Sequence, residues 1–292
     1  MISKTLWKRE CKANIKVILL FLLVLSLYSS LIVAMYDPKL GESLEMFKES
    51  MPGVFEAFGM SNPGSTLIEF IANYLYGFIL IVFPLIFVIL MCHRLIVRYV
   101  DRGSMAYLLS TPHKRSTIIL TQLCMLAMGI LILVAYVTIL VIICGNLMFD
   151  EGIDLSAFLT LNIGLYGMML FFASMCFLFA CIFNETRFAT GVGAALCIVS
   201  VLIQMLSQVG DKLENLKYVT PLTLFRPEEI IAMDQGALWS VGILYVGAVL
   251  TRNRSDDGEA IFQFCHFNVS GILYGSLHIG DGTSHTRNPF FN

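Results

Sequence analysis

A short basic segment, YVDRGSMAYLLSTPHKRSTIILTQ (Tyr99–Gln122), separates two long apolar runs of the chain. Within it, Met105, Leu108 and Leu109 lie at i, i+3 and i+4, which is the spacing of one face of a short helix. Pro112 then ends that helix, because a proline cannot continue the backbone hydrogen-bond ladder. A loop between two membrane spans needs an apolar helical face only if another molecule binds it. The segment therefore predicts a docking surface for a cytoplasmic partner.

The composition is that of a membrane protein. Hydrophobic residues make up 57% and charged residues 14% of the chain, whereas soluble domains usually carry about 25% charged residues. Apolar runs of about 20 residues, enough to cross a ~30 Å hydrocarbon core, recur along the sequence. They predict an all-α polytopic membrane protein of about six transmembrane helices, in one domain over residues 1–250. The predicted spans are Val17–Met35, Phe70–Cys92, Ile118–Cys144, Phe158–Phe183, Ala189–Leu206 and the shorter Ala237–Leu250.

Lysine and arginine are distributed unequally between the two sides of these spans. Eleven lie on the side of the N-terminus and five in the opposite loops, although those loops are longer. The positive-inside bias therefore predicts a cytoplasmic N-terminus and a cytoplasmic Tyr99–Gln122 loop. The eleven are Lys4, Lys8, Arg9, Lys12, Lys16, Arg94, Arg98, Arg102, Lys114, Arg115 and Arg187, and the five are Lys39, Lys48, Lys212, Lys217 and Arg226.

Four lysines that precede the first span form a stripe. Lys4, Lys8, Lys12 and Lys16 are spaced by four residues and so share one face of a helix. This spacing favours an interfacial helix that lies along the inner leaflet, with its lysines at anionic headgroups. Alternatively, the lysines only fix the orientation of the first span.

No sequence pattern predicts a catalytic centre, a cofactor or a metal. The eight cysteines include no C-x-x-C pair and the five histidines have no ligand spacing. Glu228 and Glu229 raise the hypothesis of a membrane-embedded glutamate protease. However, the four residues that follow them, 230–233, include no arginine, and no histidine lies in mid-span. Their segment, FRPEEIIA, instead predicts a helix start with a proline and two acids in the first turn. The chain is also not expected to bind nucleic acid.

The chain contains no nucleotide-binding loop of its own. No glycine is followed by lysine, so the sequence G-x-x-x-x-G-K-[ST] is absent. If the protein carries out energised transport, a separate polypeptide must hydrolyse the ATP. The chain itself is therefore predicted to be non-catalytic.

The loop resembles the first cytoplasmic loop of type-2 ATP-binding-cassette (ABC) exporter permeases. The resemblance rests on Asp101-x-Gly103-Ser104 followed by Leu108-Leu109-Ser110-x-Pro112-x-x-Arg115, and upstream on YDPKLGESLEMF (Tyr36–Phe47) and GSTLIEFIANYLYGF (Gly64–Phe78), which are similar to the bacterial branch. It covers roughly residues 1–250. The residues that match the coupling helix and its flanks are Asp101, Arg102, Gly103, Ser104, Met105, Leu108, Leu109, Pro112 and Arg115.

The resemblance implies how the protein would work. Two permease chains, identical or different, would meet two cytoplasmic ATPase subunits in the bacterial cell membrane, with ATP and Mg²⁺ bound by the ATPases. Leu108 and Leu109 would fill a groove on the ATPase, while Arg102 and Arg115 would pair with its acids, and the complex would export an unidentified substrate. The alternative is a secondary transporter or channel-like protein without an ATPase, which the lack of charged residues in mid-span disfavours. A membrane-embedded enzyme is the third class.

Four polar residues within the apolar runs are candidates for a substrate path, since a polar side chain facing lipid is costly. They are Asn73, Gln122, Asn162 and Gln204. The alternative is that these amides only form hydrogen bonds between helices.

The C-terminal segment 251–292 differs from the rest of the chain. The last apolar run, Ala237–Leu250, would give about 21 Å of helix at 1.5 Å per residue, too short to cross comfortably. The sequence TRNRSDDGEA follows it, and the tail beyond has no clear periodicity. We expect a poorly ordered cytoplasmic tail. A frameshifted or recombined end and a true accessory tail both fit this sequence.

Overall fold

The computed structural model describes residues 3–36, 50–51, 66–101, 115–149, 153–182, 186–208 and 220–256. Within these ranges the protein is helical and contains no strand. Five of the helices in the described ranges are long and apolar enough to cross a membrane, and a shorter apolar helix follows them. The prediction of an all-α polytopic membrane protein is confirmed.

The described helices follow the predicted apolar runs. Each run lies within one helix, except that Phe183 lies outside the described residues. A short 3-10 turn, Pro221–Leu224, precedes the last two helices. The helices are α1, Lys4–Met35; α2, residues 67–101; α3, Arg115–Met148; α4, Leu155–Ile182; α5, Thr186–Gln208; α6, Pro227–Ile231; and α7, Gln235–Asp256.

Helix α1 corrects the prediction of a separate interfacial helix. Its 32 residues form one helix of about 48 Å, longer than the hydrocarbon core. No glycine or proline interrupts it, and one buried stripe continues from the basic segment into the span. Leu6, Glu10, Asn14, Ile18 and Phe21 belong to this stripe. The basic segment is therefore the first part of the spanning helix, because the same face packs against the bundle throughout, while all four lysines are exposed.

Helix α2 contains two π-helical segments, Leu75–Ile79 and His93–Val97, one near each end. Between them lies the α-helical stretch Leu80–Cys92. The first turn of α2 is fixed by a capping box, in which Thr66 Oγ1 accepts a hydrogen bond from Glu69 N–H and the Glu69 carboxylate accepts one from Thr66 N–H. Single π turns inside α-helices frequently occur at functional sites. Each of these two segments contributes a residue to the wall of a cavity, Tyr76 from the first and Arg94 from the second.

Helix α4 forms the centre of the bundle and packs against α2, α3, α5, α6 and α7. Two of its contacts with α7 place an aromatic ring over a glycine. Gly167 of α4 faces the ring of Tyr245, and Gly247 of α7 faces the ring of Phe171. Small residues let neighbouring helices approach closely, which is the main source of helix association in lipid.

Helix α7 is longer than the predicted sixth run. It has 22 residues, or about 33 Å, and continues through the sequence TRNRSD that was expected to break it. Helical hydrogen bonding does not require apolar side chains once the helix leaves the hydrocarbon core. Thr251, beyond the predicted end, still packs on α4 through a hydrogen bond with Ser174 at 2.6 Å.

The predicted coupling helix and most of the C-terminal tail lie outside the described residues. These are residues 102–114 and 257–292. The predictions for both segments stay predictions.

Candidate functional site

A cavity of about 240 Å³ lies at the end of the bundle where α2 begins and α5 ends. We call this the far end, and the end where α1 begins and α2 ends the basic end. Three elements surround the cavity: the first turns of α2, the last turn of α5, and the segment that contains α6. Its polar lining consists of Asn73, Tyr76, Gln204, Gln208, Arg226 and the two glutamates of α6.

Three of the four predicted path residues meet at this cavity. Asn73 and Gln204 line it directly. Asn162 does not line the cavity itself, but its Oδ1 accepts a 2.7 Å hydrogen bond from the hydroxyl of the lining residue Tyr76. The structure thus brings the three amides together, and their role in a substrate path stays a prediction.

Gln122 does not join them. It lies near the basic end of α3, next to Thr121, whose Oγ1 accepts a 3.1 Å hydrogen bond from the backbone N–H of Ser3. The Gln122 side chain is buried, and its Oε1 has no hydrogen-bond partner within the described part of the chain. Its position near the start of α1 separates it from the cavity at the far end.

The segment around α6 supplies the charges of the cavity. Pro227 occupies the first helical position, and Glu228 and Glu229 lie in the first turn, which confirms the predicted helix start at FRPEEIIA. Arg226 Nη1 donates to both carboxylate oxygens of Glu229, at 2.8 and 2.9 Å. Because both side chains are nearly half exposed, this ion pair contributes little to stability. The lining of the cavity therefore includes both a positive charge and negative charges.

The residue that sequence reasoning missed here is Tyr76. It is fully buried and lies in the first π-helical segment of α2, which turns its ring toward Asn162 on α4. A tyrosine inside an apolar run was the available signal, since a buried phenolic hydroxyl usually finds a partner.

A second polar cluster joins α1 to α2 at the basic end. Arg94, in the second π-helical segment, donates through Nε to Asn14 Oδ1 at 2.8 Å and through Nη2 to the Ala13 carbonyl at 2.9 Å. Asn14 in turn donates to Glu10 Oε2 at 3.1 Å, and the Tyr99 hydroxyl donates to Glu10 Oε1. The chain of bonds fixes the start of α1 to the last turns of α2.

Glu10 is 2% exposed, so this carboxylate depends on its two donors. Burial, and then the hydrogen bond to Glu10, raise the pKa of Tyr99 to about 12. The phenol therefore stays protonated and continues to donate. The available sequence signal was the position of Glu10 and Asn14, four residues apart, on the same stripe as Leu6 and Ile18.

The cluster leads directly into the predicted coupling segment. Asp101 is the last residue of α2 and Arg115 the first of α3. The intervening residues of the predicted site, Arg102, Gly103, Ser104, Met105, Leu108, Leu109 and Pro112, lie outside the described residues. Within the described part of the chain, no group of three or more histidine, cysteine or acidic side chains is arranged to hold a metal ion.

The comparison with protein families matches residues 8–251 to the ABC-2 family transporter protein family. The chain belongs to this family. The resemblance that the loop motif indicated is confirmed, and the protein is a membrane-spanning permease subunit of an ABC transporter. ABC-2 permeases are generally non-catalytic and work with an ABC ATPase. The comparison gave no match among curated proteins or solved structures.

Proposed function

We propose that this ABC-2 permease exports its substrate from the cytoplasm, driven by a separate ATPase that docks on the segment 99–122. ATP and Mg²⁺ would bind on the ATPase, and a second permease chain would complete the transporter. The protein would be a multi-pass protein of the bacterial cytoplasmic membrane with its N-terminus inside, in line with the distribution of lysine and arginine.

The observation that carries this proposal is the continuity of α2. One helix lines the far-end cavity with Tyr76, contacts α1 through Arg94, and leads into the coupling segment after Asp101. The two contacts are 18 residues apart, or about 27 Å along the helix. A displacement of the coupling segment by the ATPase would therefore move the wall of the cavity.

The far-end cavity is the proposed exit site for the substrate. Its amides, phenol and charges of both signs suit a substrate with several polar groups rather than a purely apolar one. The alternative, a secondary transporter, is disfavoured. A proton or sodium relay would require charged side chains near the middles of the spans, and the described spans carry none there.

The test uses two double variants of the coupling segment. Leu108→Asp/Leu109→Asp would remove the apolar face, whereas Ala106→Asp/Tyr107→Asp places the same two charges away from that face of the same predicted helix. We expect the first variant to reach the membrane but to lose the co-purifying ATPase and ATP-driven transport, and the second to retain both. Equal retention of the ATPase by both variants would show that this segment is not the docking site.

A further inference from the structure

A second cavity, of about 140 Å³, lies between α1 and α2 at the basic end. Its charged lining consists of Arg9, Glu10, Arg94 and Arg98, and Ala13, Asn14 and Tyr99 complete the wall. This cavity lies at the opposite end of the bundle from the proposed exit site.

The three arginines differ in how far they are engaged. Arg94 is held by Asn14 and by the Ala13 carbonyl. Arg9 and Arg98 are exposed, and neither donates a hydrogen bond within the described part of the chain. The guanidinium carbon of Arg9 lies 5.8 Å from the centre of the Tyr99 ring. Two guanidinium groups thus stand at the cavity with their donors available.

The one acidic residue that lines the cavity, Glu10, is already hydrogen-bonded within the protein. Both oxygens of Glu10 accept hydrogen bonds, from Tyr99 and from Asn14, and the carboxylate is buried. Three positive charges against one negative charge leave a net charge of +2 around the cavity. An anion that contacts Arg9 and Arg98 would therefore meet an excess of positive charge.

We propose that this cavity binds a phosphate group, and specifically the headgroup phosphate of an anionic lipid. Guanidinium groups bind phosphate oxygens in a paired, planar geometry, and basic pockets between transmembrane helices bind lipid headgroups. The cavity adjoins the first part of α1, whose exposed face carries Lys4, Lys8, Lys12 and Lys16. Those lysines draw anionic lipid toward the surface, and the arginine pocket selects its phosphate. Because α1 and the end of α2 form its walls, a bound headgroup brings the two helices together next to the coupling segment.

The experiment measures binding through Trp7, which is partly buried and lies about one helical turn before the lining residue Glu10 on α1. The chain has two tryptophans, so Trp239→Phe removes the other signal, which comes from the far end. The full chain in detergent is titrated separately with short-chain phosphatidylglycerol, short-chain phosphatidylcholine and inorganic phosphate. We expect saturable binding of phosphatidylglycerol and much weaker binding of phosphatidylcholine, whose choline cation is repelled by the positive cavity.

Two variants with the same loss of charge separate the pocket from the general surface. Arg9→Gln/Arg98→Gln should weaken phosphatidylglycerol binding by about tenfold or more, equivalent to about 1.4 kcal/mol or one charged hydrogen bond. Lys4→Gln/Lys16→Gln should change binding by less than about twofold, since these lysines do not line the cavity and act on the headgroup only through charge that salt screens. An unchanged Trp7 emission maximum in ligand-free protein checks that each variant is folded.

The outcomes decide both the site and the source of the phosphate. Arginine-dependent binding of phosphatidylglycerol but not of inorganic phosphate identifies a lipid site. Comparable arginine-dependent binding of inorganic phosphate keeps the phosphate chemistry and overturns the lipid assignment. Equal losses in the arginine and lysine variants, or no saturable binding of either ligand, would overturn the proposal as a whole.

Discussion

The hydrogen bond between Tyr76 and Asn162 should stabilise the wall of the far-end cavity by a measurable amount. Tyr76 is 0% and Asn162 5% exposed, and the two atoms are 2.7 Å apart. In Tyr76→Phe, Asn162 Oδ1 loses this donor, while its Nδ2 remains bonded to the Phe158 carbonyl at 2.8 Å. Interhelical hydrogen bonds within membranes contribute about 0.6 kcal/mol on average and about 1.7 kcal/mol at most. We expect Tyr76→Phe to lower the free energy of unfolding by an amount in this range.

A double-mutant cycle isolates this bond from changes in packing. Tyr76→Phe, Asn162→Leu and the double variant are compared with the parent by reversible unfolding in mixed micelles. Replacing both partners with apolar groups removes the unsatisfied atom, so the double variant should lose less stability than the sum of the single variants. The expected coupling energy is about 0.6–1.7 kcal/mol.

Tyr245→Phe is the matched control. Its hydroxyl also donates to α4, to the Ile163 carbonyl at 2.9 Å, but that bond is exposed. Loss of this hydroxyl should change stability less than loss of the Tyr76 hydroxyl. A coupling energy below about 0.3 kcal/mol for Tyr76 and Asn162 would refute the assignment of this bond as a structural link between α2 and α4.

Two further predictions concern packing and protonation. Gly129→Ala should destabilise the bundle by about 1–3 kcal/mol, because the new Cβ would lie 2.9 Å from the buried ring of Phe87. Gly191→Ala should be neutral or stabilising, because among the described residues no atom beyond the adjoining turns of its own helix lies within 4 Å of the new Cβ. Unfolding titrations compare the two variants, and equal losses of stability would contradict this packing. Because burial and Glu10 raise the pKa of Tyr99 to about 12 from an ordinary value of 10.0, the stabilisation by its protonated form should be complete below pH 10 and lost as the pH rises through about 12. The tyrosinate absorbance that Tyr99→Phe removes should appear near pH 12, and its appearance near pH 10 would contradict the partly buried hydrogen bond from Tyr99 to Glu10.

The spans of this protein could be predicted because lipid imposes a simple rule. An apolar run of about 20 residues must form a helix to satisfy its backbone groups, and each predicted run is part of one. That Asn73, Asn162 and Gln204 meet at one cavity could not be predicted, because the sequence indicates which polar residues lie within spans but not which helices are neighbours. Gln122 belonged to the same class by sequence, yet it lies near the basic end.

The features that escaped prediction depend on contacts between helices. Hydrophobicity places the beginning of the first span at Val17, but the buried face of α1 already includes Glu10 and Asn14 because α2 offers them Tyr99 and Arg94. The two π-helical segments of α2 likewise have no local sequence signal: the first lies within the apolar run Phe70–Cys92, and the second begins at His93, directly after that run. The length of α7 was underestimated because hydropathy decreases after Leu250, while the helix continues along α4.

The most direct test of the account is whether this permease depends on a separate ATPase. The full chain would be purified in mild detergent from its native membrane, its bound partners identified, and ATP turnover measured for the complex and for each component alone. We predict a complex that contains two permease chains and an ABC ATPase, with an ATP turnover that depends on both and decreases in the Leu108→Asp/Leu109→Asp variant. Recovery of an intact permease that transports without any bound ATPase would contradict the account.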